Sequence, residues 1–168
     1  MLKNKIKITP FALILSVFNF LFFHYPFFKF VLNNVDYKSF NGVMMIVSLV
    51  VLMLILNAWA FYLFLFLSRF VGKFLLVITF IISSVSVYFI NTYGVIIDES
   101  MIGNVFNTNY QESSSFFSLK LVLYVIFLGL LPGIYIIKSS IVNVTLRRFL
   151  TTSGLVLLFG AVTAFANA

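Results

Sequence analysis

The sequence lacks cysteine altogether, and it holds a single histidine and only four carboxylates. The absence of cysteine excludes disulfides and thiolate metal sites, and one histidine excludes a multi-histidine metal site. Charged residues make up 9% of the chain, against about a quarter in soluble domains, while 62% of the residues are hydrophobic. These proportions indicate an integral membrane protein. The net charge of +7 does not indicate nucleic-acid binding, because the cations lie in short clusters beside apolar runs.

Five apolar stretches are long enough to cross a hydrocarbon core, which takes roughly 20 helical residues. Thr9 and Pro10 predict the start of the first stretch, Pro26 predicts a kink in it, and Ser118 is the expected N-cap of the fourth. The second and third stretches are expected to be joined by a turn at residues 68–73. We therefore predict an all-α integral membrane fold with five spans, at about residues 10–31, 42–67, 74–91, 119–137 and 149–168.

The distribution of charge predicts how these spans are oriented. Eight of the eleven cations lie before the first span, between the second and third, or between the fourth and fifth, namely Lys3, Lys5, Lys7, Arg69, Lys73, Lys138, Arg147 and Arg148. The opposite loops hold the other three cations and all four carboxylates: Lys29, Lys38, Lys120, Asp36, Asp98, Glu99 and Glu112. The positive-inside rule then predicts a cytoplasmic N-terminus and a C-terminus on the opposite side of the membrane.

Polar residues inside the spans are few. No Asp, Glu, Lys or Arg lies near the middle of a predicted span. This argues against a transporter, because transporters usually need intramembrane ionisable groups. For Asn19 and Asn57 we expect hydrogen bonds between helices. His24 lies in an aromatic setting that favours a place in the membrane-interface belt.

The long acidic loop at residues 92–118 contains the strongest functional signal. Asp98 is an expected N-cap, and the helical period that follows separates an apolar side from a polar one. We predict a short amphipathic helix between the third and fourth spans, lying in the membrane surface on the side opposite the N-terminus. Asn104, Thr108 and Glu112 recur every four residues along its polar side, over about 12 Å.

This polar row suits a zwitterionic lipid head group. The carboxylate of Glu112 can pair with an ammonium group, while the Asn104 amide and the Thr108 hydroxyl can donate hydrogen bonds to phosphate oxygens. The alternative is that the row is only the wet side of an interfacial helix and that Glu112 helps to solubilise the loop. Spacing alone leaves both interpretations open.

The same segment resembles the N-terminal membrane domain of the bacterial phosphoethanolamine transferases, the family that modifies lipid A and includes the colistin-resistance enzymes. The resemblance is most specific between Tyr93 and about Pro132. The family motif has the form D-x-x-M-I-x-N-V-x-x-T-N-x-x-E, and this sequence matches it at Asp98, Met101, Ile102, Asn104, Val105, Thr108, Asn109 and Glu112. The resemblance implies that Asn104, Thr108 and Glu112 contact the lipid head group.

The resemblance also implies the activity and the partners. The whole enzyme is expected to move phosphoethanolamine from phosphatidylethanolamine to lipid A or a related envelope acceptor. Its periplasmic catalytic domain, with zinc and a threonine nucleophile, is expected beyond Ala168, so that no catalytic residue, metal ligand or cofactor is expected within this chain. A structural or assembly subunit, packed through its phenylalanine-rich helices, remains the alternative from composition.

Overall fold

The computed structural model describes residues 5–94 and 118–165, and these residues form two compact units. Unit 1 comprises residues 1–75 and 139–168, and unit 2 comprises residues 76–138. Predicted features at residues 95–117, including Asp98, Asn104, Thr108 and Glu112, lie outside the described residues.

Unit 1 begins with a short strand and a broken helix. Strand β1 (Lys5–Lys7) leads into α1 (Ile8–Phe23), which is followed by α2 (Tyr25–Asn34) at an angle of 59°. The predicted kink is therefore present. Pro26 lies in the first turn of α2, where a missing N–H is tolerated, whereas continuing α1 through it would drive the ring into the carbonyl of Phe22. The predicted start at Thr9 and Pro10 is wrong: the helix begins at Ile8, directly after β1.

Helix α3 (Phe40–Leu67) packs against α1 in unit 1, with Ser16 of α1 donating a hydrogen bond of 2.6 Å to the carbonyl of Leu54. The helix begins at Phe40 because Ser39 caps it, accepting a hydrogen bond from the backbone N–H of Gly42 at 3.1 Å. Buried Phe11, Leu15 and Leu65 contribute to the apolar core of this unit.

Only Ser68 separates α3 from α4 (Arg69–Tyr93), so the prediction of a six-residue turn at 68–73 is wrong. Ser68 has an extended backbone and ends α3. Gly72 then allows the backbones to approach, because a Cβ at this position would overlap the carbonyl of Phe64. Such a contact depends on close tertiary packing, which composition does not reveal.

Unit 2 contains the rest of α4 and a helix with a π-helical centre. Its parts are α5 (Leu119–Tyr124), the π-helical turn Val125–Leu130, and α6 (Leu131–Lys138). Gly129 and Gly133 form a G-x-x-x-G pair, the small-residue spacing that lets membrane helices pack closely. A Cβ on Gly129 would lie 3.0 Å from the Ser84 hydroxyl, and one on Gly133 would lie 3.3 Å from the Val77 side chain.

The chain returns to unit 1 through β2 (Ser140–Val142), which pairs in parallel with β1, and ends in α7 (Leu146–Phe165). The sequence did not predict these strands. Helix α7 begins three residues before the predicted start of the fifth span at Phe149, because the Thr145 hydroxyl accepts a hydrogen bond from the N–H of Arg148 at 3.4 Å. It packs on α3 through its first turns.

Four helices of the described part are long and apolar enough to cross a membrane, and the bent α1–α2 pair would make a fifth if it is one span. Many large apolar side chains point outward, among them Leu13, Ile14 and Phe30. In a membrane these side chains face lipid rather than water. The prediction of a predominantly α-helical membrane protein is confirmed, with one two-stranded ribbon added to it.

Candidate functional site

The predicted head-group residues Asn104, Thr108 and Glu112 lie outside the described residues, and the structure shows the two stems from which their segment extends. The incoming stem is the last turn of α4, and the outgoing stem is the start of α5. Both belong to unit 2. Their packing determines where residues 95–117 leave and rejoin the helices.

The incoming stem ends at Gly94, whose φ of 68° lies in the left-handed region. The N–H of Gly94 bonds the carbonyl of Ile90 at 3.0 Å, which closes the last turn of α4. Glycine adopts this conformation without a steric cost, so the residue is well suited to end a helix and redirect the chain. Helix α4 therefore ends at a defined residue.

A direct side-chain bond ties the incoming stem to the outgoing one. The hydroxyl oxygens of Tyr88 and Ser118 are 2.7 Å apart and share a hydrogen bond. Ser118 also caps α5 as predicted, since its hydroxyl accepts a hydrogen bond from the N–H of Leu121 at 3.2 Å. Tyr88 is 1% exposed, so this bond is shielded from solvent. One serine thus starts α5 and fixes it to α4.

Aromatic rings surround that bond. Tyr88 makes edge-to-face contacts with Phe89, Tyr93 and Tyr124, with ring centroids 5.2, 6.0 and 5.6 Å apart. Such pairs contribute about 0.5–1.5 kcal/mol each beyond the area they bury. Lys120, which is exposed, stands one turn of helix before Tyr124 on the outgoing stem. The stems form an aromatic base that bears hydroxyl groups and one cation.

Sequence analysis missed Tyr88. The available signal was a tyrosine near the end of a predicted span, followed at one helical turn by the polar residues Asn91 and Thr92. What the sequence could not show is its partner, because Ser118 lies thirty positions away along the chain.

A second polar group lies in unit 1, at the break between α1 and α2. The Nδ1 of His24 is 3.3 Å from the carbonyl oxygen of Asn19, and its Nε2 is 3.3 Å from the Nδ2 of Asn57. The Asn57 amide also donates to the Met53 carbonyl at 2.8 Å. These partners assign the hydrogen to Nδ1 of His24, because a carbonyl only accepts and an amide nitrogen only donates.

This group changes the interpretation of His24. The sequence favoured a place in the interface belt, whereas the ring folds back onto α1 and bonds α3 at Asn57, about 15 Å along the helix from its end at Leu67. The interhelical bond predicted for Asn57 is confirmed. Asn19, which is buried, contributes its carbonyl oxygen to the group.

Within the described ranges, no group of three or more histidine, cysteine or carboxylate side chains is placed to hold a metal ion.

Comparison with known proteins identifies the family. The family model described as phosphoethanolamine transferase EptA/EptB matches residues 52–168, which include the whole of the 92–118 segment. The chain belongs to the phosphoethanolamine transferase family. The match covers the motif residues Asn104, Thr108 and Glu112.

Individual phosphoethanolamine transferases agree with this assignment. The chain is 33% identical to phosphoethanolamine transferase EptA of Helicobacter pylori over 157 residues, which is 93% of this chain and 29% of that protein. It is 32% identical to phosphatidylethanolamine transferase Mcr-2 of Escherichia coli over 73 residues, covering 44% of this chain and 14% of that protein.

A solved structure shares the fold. The integral membrane lipooligosaccharide phosphoethanolamine transferase A (EptA) of Neisseria meningitidis matches with a TM-score of 0.75 at 22% identity, over 98% of this chain and 30% of that protein. The chain therefore spans less than a third of the length of these transferases. It corresponds to their N-terminal membrane domain.

Proposed function

We propose that the full-length protein transfers phosphoethanolamine from phosphatidylethanolamine to lipid A or a related envelope acceptor, and that this chain is its membrane anchor and lipid-binding domain. The observation that carries the proposal is the family match over residues 52–168, which contains the complete motif. The names of the relatives, phosphoethanolamine and phosphatidylethanolamine transferases, support the same donor.

The proposed topology has five spans in the bacterial inner membrane, with the bent α1–α2 pair as the first. The N-terminus is cytoplasmic, and the 92–118 segment and the C-terminus are periplasmic. Support comes from the eight-to-three division of cations and from the lengths of the described helices. The amphipathic helix proposed between the third and fourth spans lies in the membrane surface.

The proposed donor site is the polar side of that helix. Glu112 pairs with the ethanolamine ammonium, and Asn104 and Thr108 donate hydrogen bonds to phosphate oxygens. The aromatic base formed by Tyr88, Tyr93 and Tyr124 supports this assignment, because it ties together the two stems of the segment. A segment anchored at both ends loses less conformational entropy when it binds a lipid.

In this proposal the transfer reaction takes place in a periplasmic catalytic domain that follows residue 168. That domain holds zinc and a threonine nucleophile, and the zinc there supplies Lewis-acid activation. The membrane domain holds the donor head group at the interface, which replaces a three-dimensional search by a local one. Residues 1–168 alone are expected to be inactive.

The experiment that tests the proposal compares the purified full-length protein with residues 1–168. Each is incubated in detergent with fluorescent phosphatidylethanolamine and lipid A, with and without a zinc chelator. We expect diacylglycerol release and modified lipid A from the full-length protein only, with loss of both on chelation. Absence of transfer by the folded full-length protein would favour the structural-subunit alternative, and turnover by residues 1–168 would show that the chemistry lies in the membrane domain.

A further inference from the structure

One end of unit 1 is rich in positive charge. Six cations from three separate segments stand there, and we call this the basic end: Lys5, Lys7, Arg69, Lys73, Arg147 and Arg148. The described segments that build it, residues 5–8, 66–75 and 139–150, contain no aspartate or glutamate. No carboxylate within these segments therefore neutralises the six cations.

The ribbon of β1 and β2 joins the N-terminal segment to the segment that precedes α7. Lys5 pairs with Ser140 and Lys7 with Val142 in the parallel register. Lys73, in the first turns of α4, donates a hydrogen bond of 2.6 Å from its Nζ to the carbonyl of Ser139, the residue just before β2. The N-terminal segment, the start of α4 and the segment before α7 thus meet.

A stack of two aromatic rings brings the start of α7 to the basic end. Phe149 lies flat on Phe66, with centroids 3.9 Å apart and an interplanar angle of 5°. Phe149 directly follows Arg147 and Arg148, and Phe66 lies in the last turn of α3, just before Arg69. The two arginines of α7 therefore come to the same end as Arg69.

Along the chain, no aspartate or glutamate lies in the segments that hold these basic side chains. Arg147 and Arg148 are exposed in the first turn of α7, which holds no acid. Cations are unfavourable there, because the helix dipole places partial positive charge at the same point. Lys5, Lys7 and Arg69 are exposed too. An external anion would relieve this repulsion.

The side chains next to these cations favour one kind of anion. Apolar side chains flank the cations and are open to the outside, notably Phe70 at 83%, Leu146 at 61% and Leu150 at 58% exposure. A ligand with an anionic head and hydrocarbon chains contacts both groups, whereas a soluble anion contacts only the first. Arginine is well matched to phosphate oxygens, since its planar guanidinium can donate two parallel hydrogen bonds.

We infer that the basic end of unit 1 binds the phosphate of an anionic phospholipid, with the acyl chains against the apolar flank of α4 and α7. A zwitterionic lipid fits less well, because its ammonium would face lysines and arginines with no carboxylate to receive it. This preference is opposite to that proposed for Glu112, and it does not depend on the transfer reaction.

The test is lipid binding by the purified full-length protein in a neutral detergent, measured by native mass spectrometry and by thermal stabilisation. The probes are phosphatidylglycerol, phosphatidylcholine and inorganic phosphate. We expect selective retention of phosphatidylglycerol, weakened by added salt. The Arg147→Gln/Arg148→Gln variant should bind it about tenfold more weakly or worse, since each basic residue contributes roughly 1 kcal/mol near an anionic membrane surface.

Matched variants distinguish binding at the basic end from a general effect of positive charge on the protein. Lys29→Gln/Lys38→Gln removes two exposed cations that lie outside the basic end and should leave binding unchanged. Lys5→Gln/Lys7→Gln gives a second route to the same loss if the arginine variant does not fold. The inference is overturned by equal retention of phosphatidylcholine, by equal losses in the control variant, or by competition from inorganic phosphate at concentrations matching the lipid.

Discussion

At the scale of single residues, interior polar side chains of the described part join the helices by hydrogen bonds. The partners in these bonds could not be identified from the sequence. His24 bonds Asn57 across two helices, and Tyr88 bonds Ser118 across the two stems of the long loop. The sequence predicted a bond between helices for Asn57 and a cap at Ser118, but not the bonds of His24 or Tyr88, because those depend on tertiary contact between positions that are far apart in the chain.

Replacing Asn57 with Leu should destabilise unit 1. The change leaves Nε2 of His24 without its donor in an apolar setting, and interhelical hydrogen bonds in membranes contribute about 0.6 kcal/mol on average, up to about 1.7. We expect a loss of about 1–2 kcal/mol, measured as a lowered free energy of unfolding in detergent. Asn41→Leu makes the same chemical change at an exposed position of α3 and should have little effect. Equal effects of both variants would show that the His24 bond contributes nothing.

Replacing Ser118 with Ala should weaken the base of the candidate site. The substitution removes the cap of α5, which contributes typically about 1 kcal/mol, and also removes the hydrogen bond between Ser118 and the buried Tyr88 hydroxyl. We expect the larger loss in Ser118→Ala and a smaller one in Tyr88→Phe, measured by thermal unfolding. Ser86→Ala, which removes only a bond to the helix backbone, is the control. A Ser118→Ala protein as stable as the control would contradict the stem assignment.

At the scale of elements, the apolar runs and caps predicted most of the helices, and the differences have local causes. Ser118 was recognisable as a cap from its position before an apolar run. The ribbon of β1 and β2 was not recognisable, because its strands are three residues each and far apart in sequence. The predicted donor site at Asn104, Thr108 and Glu112 rests on periodicity and the family motif alone, since these residues lie outside the described ranges.

Gly129 should tolerate no large side chain. A Cβ there would lie 3.2 Å from the Cα of Ile81, and a backbone atom cannot move aside as a flexible side chain can. Gly129→Leu should therefore destabilise unit 2 by about 1–3 kcal/mol, as overpacking does elsewhere. Thermal unfolding in detergent gives the measurement. Gly154→Ala, where nothing lies within 4 Å of the added Cβ, should be nearly neutral. A stable Gly129→Leu protein would show that α4 and the π-helical turn are not closely packed.

At the scale of the whole molecule, the proposed topology places two contrasting lipid sites at opposite membrane faces. The basic end of unit 1 would face the cytoplasm, and the segment with Glu112 would face the periplasm. This orientation remains a prediction from charge asymmetry, because membrane insertion depends on the distribution of lysine and arginine. The division into two units was not predictable, since it depends on which helices pack.

Single-cysteine labelling should establish the orientation, and the chain has no native cysteine to interfere. We expect Tyr37→Cys and Gln111→Cys to react with a membrane-impermeant maleimide in cells whose outer membrane has been made permeable. Asn143→Cys should react only after the inner membrane is disrupted. Labelling of Asn143→Cys in cells with an intact inner membrane, or protection of Gln111→Cys until lysis, would invalidate both the topology and the proposed donor site.

Transfer by Glu112 variants of the full-length protein tests most directly whether this domain holds the donor head group. Loss of a charge-assisted hydrogen bond to the ethanolamine ammonium removes about 1.5–3 kcal/mol. When this energy is lost from the transition state, the transfer rate of Glu112→Gln falls roughly tenfold to hundredfold. We expect smaller losses of rate in Asn104→Ala and Thr108→Ala. Glu99→Gln changes a carboxylate of the same loop and should keep its activity. A correctly inserted Glu112→Gln protein with full transfer activity would contradict the assignment.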